Sequence, residues 1–175
     1  MKHSKFIFIA VIASLFFFSC ARKSGNWNVI SPDSSLKITL LLDHSSLFYQ
    51  AECISGGKWD TVIKRSPLGI ERSDMDFTTG LAFTSISDVK TIDESYKMLI
   101  GKQLQCRNHA NEITLTISNS KGSEMQVIAR AYNDGVAFRY AFAEKSDTAV
   151  TIKNELSAFR IPTSGKAWML SLIHI

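Results

Sequence analysis

The 175-residue sequence predicts an all-β protein, an antiparallel β-sandwich made of one domain. Apolar residues recur at every second position through most of the chain, which is the spacing of a half-buried strand. The three- and four-residue spacing of an amphipathic helix is nearly absent. Clusters of Gly, Asn, Asp and Ser separate the alternating runs, and short strands joined by such turns favour two packed antiparallel sheets. Residues 27–169 have about the length of one domain.

Five alternating runs carry this prediction, and each places apolar side chains on one face and small or polar ones on the other. In chain order, the apolar faces are Leu36, Ile38, Leu40 and Leu42; Ile113, Leu115 and Ile117; Val127, Ala129 and Ala131; Val136, Phe138, Tyr140 and Phe142; and Val150 and Ile152. Turn signals separate the runs at 55–57, 118–122 and 133–135. We expect the apolar faces to form the core between two sheets.

The stretch RAYNDGVAFRYAF, residues 130–142, predicts a β-hairpin that turns at Asn133-Asp134-Gly135. Glycine takes a positive φ without a Cβ clash, so we expect Gly135 to occupy the bulge position of a three-residue turn. Arg139 is unusual because it places a charge on a strand face otherwise made of alanine. We expect it to form a structural ion pair, and a contact to a ligand is the alternative.

Residues 1–19 have the features of a secretory signal peptide of the lipoprotein type. Two lysines give a positive start, and the apolar run that follows, residues 6–18, is shorter than the about 20 residues that a bilayer-crossing helix needs. The Phe-Ser-Cys ending at Cys20 resembles the lipobox of bacterial lipoproteins, which predicts cleavage before Cys20 and acylation of its thiol. An ordinary signal peptide that contains a cysteine is the alternative.

This interpretation also sets the expected location. The protein would lie in the bacterial cell envelope, with the lipid on Cys20 as its membrane anchor. Residues 20–26 would form a short tether. Residues 21–23 lack an acidic export run, which favours the periplasmic side of the membrane.

The charge balance excludes one class of partner. The chain has 20 basic and 16 acidic residues, and removal of the signal peptide, which holds two lysines and no acid, leaves 18 basic and 16 acidic. The basic residues do not form a cluster interleaved with aromatic residues. The sequence therefore predicts no nucleic-acid partner.

The two other cysteines, Cys53 and Cys106, leave two possibilities open. They pair in an oxidising envelope, or they remain two buried apolar thiols. No CxxC or HxxxH spacing occurs among the cysteines and histidines, so the sequence predicts no metal site in this chain.

Aromatic rings on exposed faces are the candidate carbohydrate-binding groups, because they stack on pyranose rings. Trp59 and Trp168 are the candidates that we retain, and Trp27 shares their chemistry. Trp59 follows Gly56-Gly57-Lys58 and is predicted to lie in a hairpin turn. For each tryptophan the alternative is packing inside the sandwich or against a neighbouring domain.

No residue is predicted to be catalytic. Asp74 and Asp76 would share one face of a strand, and Asp93 and Glu94 would point to opposite faces. Glycoside hydrolysis needs two carboxylates on either side of the scissile bond, and spacing in a β-protein does not place them there.

The end of the chain is unusual. The string MLSLIHI does not resemble the close of a domain, and we predict that residues 170–175 are a non-native tail joined to a broken gene. A buried terminal strand is the alternative.

Several motifs occur in the order found in one family of proteins. They are Trp27 with SPDSSLKITLLLD (31–43), SPLGIE (66–71), Asp76-Phe77, Gly80-Leu81, Asp93-Glu94-Ser95-Tyr96, Gly101-Lys102, Asn108, Asn111-Glu112 and RAYNDGVAFRYAF (130–142). Together they resemble the N-terminal domain of glycoside hydrolase family 97, the bacterial α-glucosidases and α-galactosidases. The resemblance covers residues 27–169.

The resemblance implies an exported enzyme with an N-terminal β-super-sandwich, a central (β/α)8 catalytic barrel and a C-terminal β domain. In such an enzyme the barrel supplies the catalytic acids, the substrate is an α-linked oligosaccharide, and a calcium ion lies near it. None of the catalytic or calcium-binding residues falls on a position of this chain. The super-sandwich would be incomplete at its C-terminal side.

From these observations we expect the N-terminal, non-catalytic portion of an exported α-glycosidase, inactive alone, with the barrel domain as its partner in cis. The alternative is a standalone carbohydrate-binding lipoprotein of the envelope. The sequence does not decide between glucosidase and galactosidase or between inversion and retention, because those choices belong to the barrel.

Overall fold

The computed structural model describes residues 24–144 and 149–168, and within them the chain is built from antiparallel strands without a helix. These residues accordingly contain no helix that is long and apolar enough to cross a membrane. The all-β, antiparallel fold predicted from the sequence is confirmed. The predicted signal peptide, Cys20 and the predicted tail at 170–175 lie outside the described residues.

Two sheets make up most of the fold. The first has the order β1-β2-β3-β4, and its strands are β1 (Gly25–Ile30), β2 (Leu36–Asp43), β3 (Ser46–Ser55) and β4 (Lys58–Leu68). The second has the order β10-β9-β8-β6, and its strands are β6 (Ala82–Ile86), β8 (Gln105–Ser118), β9 (Glu124–Tyr132) and β10 (Val136–Ala141). A further strand, β7 (Lys90–Lys97), pairs with the first half of β8. The short strands β5 (Ile70–Arg72) and β11 (Ile152–Glu155) pair with each other.

The core lies between the two sheets, and the predicted inward faces of β2, β8 and β9 form much of it. The predicted face at Val150 and Ile152 is wrong, because β11 pairs with β5 outside the two main sheets and Ile152 is exposed. The members of the core on four strands are Ile38, Leu40 and Leu42 of β2; Leu47 and Tyr49 of β3; Ile113, Leu115 and Ile117 of β8; and Met125, Val127, Ala129 and Ala131 of β9. Complete burial of such a side chain stabilises the fold by about 1.5–3 kcal/mol. Trp27 closes one edge of this core by stacking on Phe83, with ring centroids 4.9 Å apart.

The hairpin at 130–142 forms as predicted, but its turn differs. The apolar face of β10 is only partly buried, since β10 is an edge strand. Gly135 does not have a positive φ, so its predicted role in the turn is wrong. The turn closes through the Tyr132 amide, which donates to the Gly135 carbonyl at 2.8 Å. Asn133 also accepts a hydrogen bond from the Asp33 amide of a neighbouring turn.

The segment after β11 packs along β4 and ties the sandwich together. The Tyr140 hydroxyl accepts from the Gly69 amide at 2.9 Å and lies 2.7 Å from the Ser157 hydroxyl. Burial raises the pKa of Tyr140. The Tyr49 hydroxyl donates to the Ala158 carbonyl, and burial raises the pKa of Tyr49 to about 12. Both phenols therefore stay neutral hydrogen-bonding groups near neutral pH.

The strand registers define two ends of the sandwich. The near end contains Gly25 at the start of β1, the β2–β3 turn at 44–45 and the β8–β9 turn at 119–122. The far end contains the β1–β2, β3–β4 and β9–β10 turns and the β7–β8 loop (Met98–Leu104). At the far end, the Asn111 side chain of β8 donates to the Ile30 carbonyl of β1 at 2.8 Å and so links the two sheets.

Candidate functional site

The outer face of the second sheet carries a shallow polar groove along β9. Ile128, Arg130 and Tyr132 alternate along this strand and so point to the same face. Across the ladder, Arg130 lies opposite Ala137, and Ile128 lies opposite Arg139. Because the Ala137 side chain ends at Cβ, these residues surround an open cavity of about 260 Å³.

The groove continues over β7 and β8 as a second cavity of about 410 Å³. Its lining residues are Glu94, Tyr96, Arg107, Asn108, Arg130 and Tyr132. Arg130 and Tyr132 line both cavities and therefore join them into one surface.

Arg130 is the fixed cation at the centre of the groove. Its Nε donates to Glu112 Oε2 at 2.6 Å, and its Nη1 donates to the Tyr132 hydroxyl at 3.4 Å. The Tyr132 hydroxyl and the Glu112 carboxylate raise the pKa of Arg130. The guanidinium is held in one orientation with part of its donor capacity directed into the groove.

The acidic side chains around the groove are all engaged. Arg107 donates two hydrogen bonds to Asp93, each of 2.7 Å, and this guanidinium holds the pKa of Asp93 below its usual range. The Asn108 amide donates to Glu94 at 3.2 Å. Each of these two carboxylates is therefore bonded to a side chain of β8.

Arg139 differs from the other two arginines. It is exposed, and within residues 24–144 and 149–168 it has neither an ion-pair nor a hydrogen-bond partner. The structural ion pair expected for it is therefore not formed with any described residue. Its neighbours on this strand face, Ala137 and Ala141, have no side-chain acceptor, so no described residue occupies the donors of the guanidinium.

The groove combines guanidinium, phenol and amide groups with a small apolar floor. Directional donors and acceptors beside an apolar surface are the usual composition of small-molecule sites. The arrangement can bind an oxygen-rich ligand, but it presents no unpartnered pair of carboxylates. Sequence reasoning missed this groove, although the alanine face of β10 was the signal that space was left above it.

The two predicted carbohydrate-binding tryptophans are not part of the groove. Trp59 lies just after the Gly56-Gly57 turn, in β4, on the outer face of the first sheet. It is 39% exposed, and the Lys37 ammonium lies 4.4 Å from its ring centroid. Trp168 is 90% exposed. Their proposed contact with sugar stays a prediction, whereas Trp27 packs inside the sandwich.

The other acidic candidates have structural roles. Asp74 accepts two hydrogen bonds from the buried guanidinium of Arg72, and Glu144 contacts the same guanidinium. Asp76 accepts from the backbone amide and hydroxyl of Thr78. The two aspartates therefore serve different partners and do not act as a pair.

Cys53 and Cys106 are both free and half-buried, and they lie in different sheets. The disulfide left open by the sequence is not formed. Among the residues that the structure describes, no three His, Cys, Asp or Glu side chains come together in a way that could hold a metal ion. The calcium ion that the resemblance implies for full-length enzymes stays a prediction.

The fold defines a class of protein: an antiparallel β-sandwich, here with a polar groove on the outer face of its second sheet. The family model described as Glycosyl-hydrolase 97 N-terminal matches residues 29–174. The chain therefore belongs to this family, as the motifs predicted.

Two curated relatives are α-galactosidases. The chain is 28% identical to a probable retaining alpha-galactosidase of Streptomyces bingchenggensis over 84% of its own length and 22% of the relative's. It is 25% identical to a retaining alpha-galactosidase of Bacteroides thetaiotaomicron over 93% of its own length and 22% of the relative's. The chain thus spans about a fifth of the length of the curated relatives it matches.

Solved structures of glycoside hydrolase family 97 enzymes also match this chain over about a fifth of their length. A glycoside hydrolase family 97 enzyme from Pseudoalteromonas sp. strain K8, determined in complex with panose, matches with a TM-score of 0.66 and 25% identity. The match covers 79% of this chain and 21% of that enzyme. The same enzyme in complex with acarbose matches equally well.

Proposed function

We propose that this chain is the N-terminal β-sandwich of an exported α-glycosidase, where it supports the catalytic barrel and contributes a carbohydrate-binding surface. The observation that carries the proposal is the family match over residues 29–174, together with relatives that are α-galactosidases several times longer. The chain itself is non-catalytic in this proposal, because the carboxylates around its groove are engaged by Arg and Asn partners.

The groove is the proposed carbohydrate-binding surface. Arg139 offers donors that no described residue occupies, Tyr132 offers a phenol at the junction of the two cavities, and Ala137 leaves room for a ring. A neutral α-linked oligosaccharide such as panose, which a relative binds, has hydroxyl groups that suit these donors. Export and attachment through Cys20 belong to the same proposal and rest on the lipobox resemblance.

Binding is tested by titrating the chain with panose and an α-galactoside while recording amide chemical shifts. We expect shifts on β9 and β10, and at least a fivefold loss of affinity in Arg139→Ala and in Tyr132→Phe. Lys121→Ala, in the exposed near-end turn, is the matched control and binds as wild type. Equal binding by all variants would exclude the groove.

The proposal that this chain belongs to a longer α-glycosidase is tested by sequencing the gene across the codons for residues 165–175 and beyond. A frame that continues into a barrel, with the product hydrolysing an α-galactoside or α-glucoside, is the expected result. A stop after Ile175 would contradict it. The completeness of the groove within this chain would then favour the second candidate, a standalone carbohydrate-binding envelope lipoprotein.

A further inference from the structure

The β7–β8 loop, Met98–Leu104, exposes a continuous apolar segment at the far end of the sandwich. Leu99 is 98% exposed and Ile100 is 87% exposed, and Met98 and Leu104 are exposed as well. Monomeric soluble proteins rarely leave such segments uncovered, and those that exist commonly mark interaction sites. The segment has therefore the composition of an interface.

The loop has a defined shape. The Met98 amide donates to the Leu104 carbonyl at 2.9 Å, which closes the loop at its base. Gly101 has a φ of 132°, a conformation that other residues rarely adopt. The loop therefore presents Leu99 and Ile100 together at its tip, so little ordering of the chain is needed when a partner binds.

The charges beside the loop indicate which kind of surface would complement it. Lys97 and Lys102 flank the apolar tip, and residues 95–107 contain no acid. The nearest carboxylates on β7, Asp93 and Glu94, are already bonded to Arg107 and Asn108. A complementary surface is an apolar pocket with an acidic rim.

The position of the loop argues against a membrane as that partner. Gly25 lies at the near end, and the 14 residues of β8, at about 3.4 Å each, separate the two ends by roughly 44 Å. A lipid on Cys20 would be only five residues before Gly25, a reach of about 17 Å. The bilayer that holds the lipid would face the near end and leave the loop far from it.

The C-terminal segment, in contrast, runs toward the far end. From Ala158, whose amide donates to the Pro67 carbonyl, to Arg160, which bridges to Lys64, it runs antiparallel to β4 and therefore in the direction of the far end. In the curated relatives the matched part is 22% of the polypeptide, so a much larger body accompanies this domain.

We propose that the β7–β8 loop is a docking element that inserts Leu99 and Ile100 into an apolar pocket with an acidic rim on the catalytic portion of the same polypeptide. This inference rests on the proposed function, because it requires that a catalytic portion exists. It goes beyond that function by assigning the contact to one loop and by stating the chemistry of the receiving surface.

Trypsin tests the proposal directly, since Lys97 and Lys102 place a cleavage site on each side of the tip. In the 175-residue chain we expect rapid cleavage after both lysines. In the parent polypeptide read from the gene, docking should slow this cleavage at least tenfold. The double substitution Leu99→Ser and Ile100→Ser in the parent should restore the rapid rate. Val89→Ser, an exposed apolar position outside the loop, is the matched control and should leave the loop protected.

The other outcomes each overturn the proposal. Equal cleavage rates in the chain and in an active parent would show that the loop is not docked, while leaving the proposed function intact. Protection that grows with the concentration of the 175-residue chain would assign the loop to a second copy. Protection by phosphatidylglycerol vesicles would assign it to a membrane. Absence of a catalytic portion in the parent would remove the proposed function and this inference together.

Discussion

The two ends of the sandwich differ in how much apolar surface they expose. At the near end, the Ser45 carbonyl accepts from the Leu81 amide at 2.9 Å, and the Asn119 side chain accepts from two amides of its own turn. The residues next to these turns bury their apolar side chains in the core. At the far end, the β7–β8 loop and the start of β4 expose large apolar side chains, among them Leu99, Ile100 and Val62.

The difference distinguishes near-end residues that stabilise the fold from far-end residues that the proposed docking would use. Buried leucines and hydrogen-bonded turns at the near end stabilise the fold, whereas exposed leucines at the far end contribute nothing to it until something covers them. Surface that costs stability is retained when it serves recognition. The comparison therefore agrees with the proposed docking of the far end, and the following substitutions test the difference in stability between the two ends.

Matched leucine substitutions at the two ends give the largest expected difference. Leu81→Ala removes a side chain that is 0% exposed and should lower the free energy of unfolding by about 2–5 kcal/mol, because it leaves a cavity in the core. Leu99→Ala, in the exposed loop, should change it by less than about 0.5 kcal/mol. Urea unfolding of both variants measures the difference, and equal losses would refute the distinction between the ends.

Removal of the Asn119 side chain, which accepts two hydrogen bonds in the β8–β9 turn at the near end, should have the next largest effect. Asn119→Ala should cost about 1–3 kcal/mol, because the Lys121 and Ser123 amides lose the side-chain oxygen that they bond at 3.0 and 2.9 Å. Asn133→Ala in the far-end turn, where the side chain accepts one longer bond from Asp33, is the comparison and should cost less. Thermal unfolding followed by circular dichroism ranks the two variants, and a reversed order would contradict the prediction.

The β2–β3 turn offers a stabilising change. Ser45 has a φ of 59°, in a region where L-residues are strained by about 1–2 kcal/mol. Ser45→Gly relieves this strain at the cost of some chain entropy, so we expect a net gain of about 0.5–1 kcal/mol. Gly57→Ser at the far end, where φ is 78°, makes the opposite change and should destabilise by a similar amount. Differential scanning calorimetry measures both changes, the expected stabilisation by Ser45→Gly and the expected destabilisation by Gly57→Ser.

The smallest effect is on acid stability. Hydrogen bonds from Arg72 lower the pKa of Asp74, and hydrogen bonds from Ser31 and Ser35 lower that of Asp33. A carboxyl with a depressed folded-state pKa stabilises the fold above its unfolded-state pKa, about 3.9, and this contribution is lost as the pH falls through the folded-state pKa.

Asp74→Asn and Asp33→Asn should therefore flatten the dependence of unfolding free energy on pH below about pH 4. We expect the larger change for Asp74, because its partner Arg72 is a buried cation whereas the partners of Asp33 are hydroxyls. Urea titrations between pH 2 and pH 6, at about 0.5-unit steps, measure the slopes. A slope unchanged in both variants would show that neither aspartate is linked to acid unfolding.

The sequence by itself predicted the strands β2, β8, β9 and β10 and the buried faces of the first three of them. Alternation such as Ile113, Leu115 and Ile117 identifies a buried face, because successive strand residues point to opposite sides whatever the partners are. The ordered motifs likewise identified the family, which the match over residues 29–174 confirmed. Both inferences depend on local spacing, which a chain carries before it folds.

Only the tertiary structure decided the site. Arg130 and Ala137 meet because the register of β9 and β10 places them opposite each other, and Glu94 joins them through the pairing of β7 with β8. The turn at 133–135 likewise takes part of its support from Asp33, 100 residues away along the chain. Such contacts depend on which strands pair and in which register. The spacing of residues within one strand does not specify either of these.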